Sequence, residues 1–567
     1  MTEPVFIAAV AAVVAVLLRI AYLQLLPKPI PGVPHNKDSA GRLLGDAPYF
    51  KQYEKAARFR TRFFYDLVSK HKSPLAQFFP GPFARPFLVL ADYREAQRLM
   101  SKQSKDLSRG FLNNVVWSFF LPNHFIAMED SHPSFKKSKF LTKDLMTNNF
   151  LHTVSAPASH QAVSNFVKLW KQKAAIAQGL PFETTRDLEG LTYDIMMTAI
   201  FGKGEGEGMT MQQSQALLND KIKTDGTAKV ALFPPAADPE ILQAHHDLNV
   251  SITGAFGSLF PRVFFVFEKF RPRTRRALAT KRDLVQAEIG RSVAQLTANS
   301  PGGKPGNQLA SAADYVISRE IAAAETEGRL PVYDSMELND MLWGYFGGGQ
   351  DSTHSTLCFT VKYLGMHQGA QSELRRALRR AHHEAHTREP TVQEIIRTQV
   401  PYLDASIEET LRLCSPAGAI TKETACDTIV SGHAIPKGTP IMILLTGPTF
   451  TQSGARPPEK LSEGGVSDWS CSEYPAEGFH PERWLQSDAN GDVRYDNNAG
   501  PFLSFSTGPR GCWGKRLAYL ELKLIVTLLV WNFEFLRLPA ELEDDGLTEG
   551  LFTKPKSSLV SLKAITG

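Results

Sequence analysis

Apolar residues in this chain fall into runs of different length and period, and polar stretches between them mark element boundaries. The first run covers residues 5–26 and is interrupted only by Arg19, Gln24 and a tyrosine. As a helix it extends about 33 Å, enough to cross a bilayer. Residues 27–34 follow as a stiff proline-rich spacer. The short run 86–91 reads as a strand, and Asp92 with Glu95 reads as a capping box opening a helix through Met100. A second capping box, Asp334 with Glu337, opens a helical pattern that persists through Thr356, Leu357, Phe359, Val361 and Leu364. That pattern crosses Gly347, Gly348 and Gly349, each costing a helix interior roughly 1 kcal/mol relative to alanine. A locally opened helix accounts for them better than a stop. Residues 517–530 form a last apolar stretch of helical character. Residues 202–208 and 299–306 read as flexible loops, and 451–468 as a polar surface insertion rich in Gly, Pro and Ser. The chain is expected to be mainly α with a minor β region: an anchor over 1–27, a linker over 28–35 and one domain over 36–567.

Length alone would allow three or four domains in 567 residues, but no composition break divides the chain. A net charge of +5 with 21% charged residues is a mild basic bias. It gives no case for nucleic acid and leaves an acidic protein partner or anionic lipid open. The cysteines, at 358, 414, 426, 471 and 512, are odd in number and scattered. No zinc or disulfide spacing is present, which points to a reducing compartment. The N-terminus agrees with that. Thr2 and Glu3 provide no basic n-region, and no small-residue cleavage site follows the apolar run, so a signal peptide fits poorly. Glu3 precedes the span while Arg19 lies late in it and Lys28 beyond, which puts the bulk of the chain on the cytosolic face.

Residues 502–516 hold the densest chemistry. Phe505, Gly508, Arg510, Cys512 and Gly514 form the pattern F-x-x-G-x-R-x-C-x-G, and the last apolar helix follows at once. Gly508 permits a tight turn that a side chain would obstruct. Cys512 then lies at a helix start, where free N–H groups and the helix dipole favour thiolate. Gly514 lets a flat macrocycle approach the backbone, Phe505 shields the sulfur, and Arg510 suits a carboxylate at close range. The plain alternative is a buried structural cysteine ahead of a core helix. The run resembles the haem-binding loop of the cytochrome P450 family. That resemblance makes Cys512 the axial ligand of the iron in haem b (iron protoporphyrin IX), with Phe505, Gly508, Arg510 and Gly514 around the cofactor.

Other stretches resemble the same family. Glu409 and Arg412 form an E-x-x-R flanked by Ile407, Leu411 and Leu413, so the pair belongs to a buried face and needs further hydrogen bonds to offset desolvation. Residues 479–484 look like the family's F-x-P-E-R-W segment, and the resemblance implies a structural network of Glu409, Arg412 and Arg483. Residues 348–353 resemble its oxygen-binding groove, [A/G]-G-x-[D/E]-T-[T/S], with Gly348, Gly349 and Asp351 in register. Ser352 stands where threonine is usual, with Thr353 next; serine keeps the hydroxyl but lacks the methyl that stiffens χ1. Lys422 falls where the family often has an arginine for a haem propionate. In 132–137 the family's usual tryptophan and arginine are missing, and Lys136 or Lys137 stands near that place, with a solvated lysine the plain alternative. Residues 193–202 match a family helix end loosely. The likeness runs from about Gly32 to the C-terminus.

The resemblance implies a haem-thiolate monooxygenase with dioxygen as co-substrate. Electrons would come from NADPH through NADPH–cytochrome P450 reductase, with cytochrome b5 as a further candidate donor. Asp351, Ser352 and Thr353 would deliver or order protons, while the thiolate favours O–O cleavage and the haem carries the difficult chemistry. The membrane would be the endoplasmic reticulum of a eukaryote, crossed once, with the catalytic domain cytosolic. Three other readings stay open: an isomerase or dehydratase that uses no reductase, a non-catalytic haem-binding membrane protein, and a metal site at residues 382–386. The last competes with a solvated, charged helix face carrying Arg375, Arg376, Arg379 and Arg380. Residues 109–120, read as a loop, and the turn 415–420 are apolar and favour a lipophilic substrate such as a terpenoid, polyketide, steroid or fatty acyl chain. The overall style resembles fungal biosynthetic members.

Overall fold

The computed structural model describes residues 3–57, 60–82, 84–203, 208–219, 229–258, 260–298, 309–385, 387–447, 474–488 and 490–565. Helix α1 (Glu3–Leu25) keeps its apolar side chains outside the packed body. Among the described helices, it is the one long and apolar enough to cross a membrane by length and composition, over Ile7–Leu25. The spacer behind it is docked at its far end. Ile30 and Val33 are buried, and the Gln77 side chain clips their backbone with three hydrogen bonds of 2.8 Å.

Gln77 belongs to β1 (Leu75–Phe78), which pairs antiparallel with β2 (Phe87–Leu90), the strand expected from residues 86–91. Asp92 caps the next helix, α2 (Tyr93–Gln97), by accepting from the Arg94 and Glu95 amides, and the chain continues as a π-helical turn over Arg98–Lys102. Glu95 turns to Arg98 and the Ser431 amide instead of the cap, so only half of the expected box forms. A short strand, β3 (Leu107–Ser108), precedes α3 (Phe111–Phe120). The segment read as a loop is thus helical. Gly110, at φ 83°, turns the chain into it, and Phe120 and Val116 are buried. Phe119 stacks on Phe265 with centroids 4.4 Å apart.

The helical body follows: α4 (Phe135–Thr142), α5 (Ala156–Ala177), α6 (Thr185–Phe201) and α7 (Glu240–Phe256) lead to α8 (Met336–Met366). α6 stops at Gly202 in the left-handed region, φ 66°. α8 has 31 residues and is buried for most of its length. Its N-cap is Ser335, whose Oγ accepts from the Leu338 amide at 3.3 Å, and not Asp334; Glu337 pairs with Lys137. The glycines leave the helix unbroken, in place of the local opening expected. A Cβ on Gly349 would come within 2.6 Å of Met196, and one on Gly347 within 3.1 Å of His245. Their helical cost is offset by letting α6 and α7 pack close to α8.

Proline opens α9 (Pro401–Leu413) at its first turn. Then β4 (Ala419–Thr424) and β5 (Pro440–Leu444) complete a five-stranded sheet in the order β1-β2-β5-β4-β3, with β2 and β5 parallel through Leu88↔Ile441 and the other pairs antiparallel. α10 (Lys515–Asn532) runs through the core, and the hairpin β6 (Leu547–Glu549) and β7 (Thr553–Pro555) packs beside α8. Helices therefore dominate, and the sheet is a flank. The expected insertion 451–468 and the loop 299–306 lie outside the described residues.

Because residues 7–24 are all exposed, deleting residues 1–24 should leave the thermal unfolding midpoint of the remainder unchanged. The membrane-bound fraction should fall, as read by ultracentrifugal partition; a lowered midpoint would show that the segment belongs to the core.

Candidate active site

The loop before α10 is built on a backbone contact. Gly508 has φ 74°, and a Cβ there would lie 1.9 Å from the Met100 carbonyl oxygen, so no side chain fits. The Cys512 amide donates to the Phe505 carbonyl at 2.8 Å and closes the loop. The Phe505 ring lies 5.1 Å from Tyr519, with the Lys515 ammonium over both rings. Cys512 is exposed, the loop holding its backbone while leaving its side chain uncovered. Burial pushes the thiol up, and the Gly514 and Lys515 amides pull it back only in part. The helix-start effect expected from sequence is present and outweighed. Cys358 and Cys414, pushed up to about 12 by burial, have no such loop around them.

Arg510 sits at the loop's edge. Its guanidinium pairs with Asp130 at 2.5 Å, donates to the Phe125 and Met128 carbonyls, and stacks 4.2 Å from the Phe135 ring centroid. A pocket beside it is lined by Arg109, Lys422, Thr507 and Arg510, with Glu129 and Asp130. Burial and the charges of Arg109 and Arg510 push the Lys422 ammonium down to about 8. Burial, with Arg510 adding to it, pushes Arg109 down to about 10. Arg109 Nε is buried without a hydrogen-bond partner. Cations thus outnumber carboxylates in a half-closed pocket, which suits the anionic edge of a macrocycle. Arg109 was missed by sequence reasoning, because one arginine ahead of an apolar stretch carries no distinctive spacing. Lys136 does not join this pocket. It is exposed on α4, whose preceding residue Phe135 faces Arg510, and consecutive helical residues point about 100° apart.

The middle of α8 carries the next group of expected residues. Gly348 is exposed within a buried helix and Ser352, one turn on, is half-buried, so together they mark a groove. Ser352 Oγ donates to the Gly348 carbonyl at 2.8 Å. Gly349 is occupied by Met196 instead and faces α6. Asp351, Ser352 and Thr353, expected to act side by side, diverge around the helix. Thr353 Oγ1 donates to Glu521 Oε2 of α10 at 3.2 Å; burial pushes that carboxyl up to about 8. Asp351 is buried and meets Lys554 Nζ at 2.7 Å and Asn249 Nδ2 at 3.1 Å. Burial would raise its carboxyl, but Lys554 and then His245 hold it below the usual range. Sequence offered no signal for Lys554 or Asn249, which are brought in from distant elements.

Glu409 lies under the loop as the hub of a fully buried network. Its carboxylate accepts two bonds from Arg412, at 2.7 and 2.8 Å, one from Arg483 at 2.9 Å, one from the His480 amide and one from the Trp484 indole. The arginines spend their remaining donors on the carbonyls of Ala476, Gly478, Tyr474 and Pro475. Burial opposes the Glu409 charge, but Arg412 and Arg483 hold the carboxyl below its usual range. The network reaches the loop through the Trp484–Phe502–Phe505 rings and the Ser504–Leu411 hydrogen bond. His386 lies outside the described residues, and no group of metal-ligating side chains forms among the described ones.

A flat macrocycle with an anionic edge fits these parts. The exposed thiol, the Gly348–Ser352 groove and the cationic pocket are the features it needs. Comparison with known proteins agrees. A sequence model described as Cytochrome P450 matches residues 49–448 and 473–562. The chain is 32% identical to "Cytochrome P450 monooxygenase TRI13" of Fusarium sporotrichioides, covering 97% of each chain. It is 31% identical to "Cytochrome P450 monooxygenase GME11363" of Pestalotiopsis microspora, over 99% of this chain and 98% of that one. A crystal structure of a cytochrome P450 (CYP102L1) superposes with a TM-score of 0.67 at 15% identity, over 95% of this chain and all of that one, a likeness of fold.

Replacing Arg483 by Met would leave Glu409 buried with fewer donors. Denaturant unfolding should show a loss of about 3–5 kcal/mol, the usual cost of breaking a buried pair. A loss below 1 kcal/mol would mean the network is dispensable.

Proposed function

This chain belongs to the cytochrome P450 family and is a monooxygenase of it. On that premise we propose that it is a haem-thiolate enzyme that oxidises a lipophilic substrate at a membrane surface, with electrons from NADPH through a flavoprotein reductase. The observation that carries the reading is Cys512, exposed at the end of the loop that the Gly508 turn builds. When bound, haem supplies the activation of dioxygen and the insertion of one of its oxygen atoms.

The protein's own residues do the rest. Cys512 would provide the thiolate ligand, with the Phe505 carbonyl holding its amide. Arg510, Lys422 and Arg109 would hold the propionates, and the Gly348–Ser352 groove would face the bound oxygen. Ser352 Oγ, bonded back to the Gly348 carbonyl, holds a hydroxyl at the groove. Asp351, on the next face of the helix, is the proton relay for that groove: its carboxylate takes up a proton before passing it on. Lys515 and Arg516 are exposed beside the loop, a basic face suited to an acidic reductase, with cytochrome b5 as a further candidate. The apolar α3 favours a lipophilic substrate of biosynthetic or lipid metabolism. α1 supports single-pass anchoring in the endoplasmic reticulum with the catalytic domain cytosolic. The isomerase reading finds less support, since the acid and hydroxyl that proton delivery needs are both present.

Cys512→Ser should abolish the red-shifted Soret band that the ferrous–carbon monoxide protein gives, whereas Cys414→Ser should keep it. A normal spectrum from Cys512→Ser would sink the ligand assignment. Asp351→Asn should slow product formation about tenfold or more with that spectrum intact, and Ser352→Ala should divert NADPH electrons to hydrogen peroxide. Turnover at the parental rate in both variants would remove the proton-delivery role. Product formed without any electron donor would favour the isomerase.

A further inference from the structure

Asp351 lies in a polar cluster that the oxygen chemistry alone does not explain. Lys554 comes from β7, where it touches Asp351 at 2.7 Å and His354 Nδ1 at 3.0 Å. Asn249, from α7, donates to Asp351 and also contacts His245 Nε2 at 3.0 Å. α6 contributes Glu189, which accepts from Arg186 and meets His246 at 2.7 Å; Arg186 in turn pairs with Asp238. The charges facing Asp351 can therefore be ranked. His354 and His245 are each pushed down to about 4, mainly by burial, and are neutral at pH 7. His246 and Arg186 are engaged by Glu189. Lys554 is the ammonium in direct contact. Burial opposes its charge, but Asp351 raises it above the ordinary lysine range.

We propose that Lys554 is a positioning residue: with the Asn249 amide it holds the Asp351 carboxylate ionised and turned toward α7 and β7, away from the Gly348–Ser352 groove. The proposal rests on the reading of Asp351 as the proton-supplying acid. Its consequence is that Asp351 is not a standing neutral acid: its carboxylate must take up a proton from the α7 side before it can pass one to the groove. It also ties that acid to α7 and to the β6–β7 hairpin, so displacement of either element alters the charge at the centre of α8.

The sign of the effect can be measured without turnover. In the parent, the depressed Asp351 contributes stability that is complete above the ordinary aspartate value, about 4, and is lost only as pH falls through its lower folded value. The raised Lys554 contributes stability that is complete below the ordinary lysine range and is lost as pH rises through its folded value. Between pH 5.5 and 8 the pair is therefore flat. Lys554→Met leaves Asp351 buried beside a single amide, so its carboxyl rises and the folded protein takes up a proton. Its stability relative to the parent should then fall as pH rises from 5.5 to 8, the unfolding constant growing by up to about tenfold per pH unit. A packing defect would lower both curves in parallel. Lys554→Arg should restore the flat profile, and adding Asp351→Asn to Lys554→Met should abolish the slope, which separates Asp351 from His245, His246, His354 and Glu189. Should Lys554→Met not fold, Lys554→Gln gives the same comparison.

In the haem-loaded enzyme, Lys554→Met should shift the pH profile of product formed per NADPH, with more peroxide released, and Lys554→Arg should restore it. Parallel stability curves for Lys554→Met and parent from pH 5.5 to 8 would overturn the proposal even if Asp351→Asn is impaired. Parental turnover by Asp351→Asn would instead overturn the catalytic reading on which it rests.

Discussion

The structure depends most on a carboxylate that no solvent reaches. Glu409 accepts five hydrogen bonds, three of them from the guanidinium groups of Arg412 and Arg483. A buried ion pair this dry would be a net cost if any of its lone pairs or N–H groups were idle. Here each arginine also satisfies backbone carbonyls of residues 474–478, so the charge cluster replaces secondary structure in a stretch that has little of its own. Trp484 carries the order onward to Phe502 and Phe505, and through them to the loop that presents Cys512. The position of the sulfur is thus set by electrostatics some distance from it.

α8 shows how one helix serves several partners. Consecutive residues leave it about 100° apart, so Asp351, Ser352 and Thr353 reach β7, the groove and α10 respectively. Gly347 and Gly349 let neighbouring helices come near, while Gly348 leaves the groove open. A helix without these glycines would be more stable alone and would stand farther from α6 and α7.

Much of this was legible in the sequence where local chemistry decides it. The turn at Gly508, the Cys512 position, the pairing of Glu409 with Arg412 at helical spacing, and the apolar helices all follow from nearest-neighbour rules. Misreadings occurred where distant contacts decide. Residues 109–120 read as a loop in the sequence, yet Phe119 on Phe265 and burial of Phe120 go with a helix over Phe111–Phe120. Asp334 loses the cap to Ser335 because Glu337 is drawn to Lys137. Lys136 misses the pocket, and Phe135 meets Arg510 in its place, through helical phase alone. Arg109, Asn249 and Lys554 reach the site from three separate parts of the chain, which spacing cannot encode.

The Gln77 clip on Ile30 and Val33 limits the body's reach. With α1 ending at Leu25 and the chain fastened again at Ile30, only residues 26–29 lie between them, and Pro27 among these is itself buried. At about 3.1 Å per residue these proline-bearing links extend roughly 12 Å. With α1 in a bilayer, such a leash is too short for the sheet edge formed by β1 to leave the headgroup layer. The body can swivel about that corner but cannot drift away from it. A lipid-dissolved substrate and a membrane-borne electron donor would then meet the enzyme by lateral diffusion in two dimensions, and not by capture from the bulk.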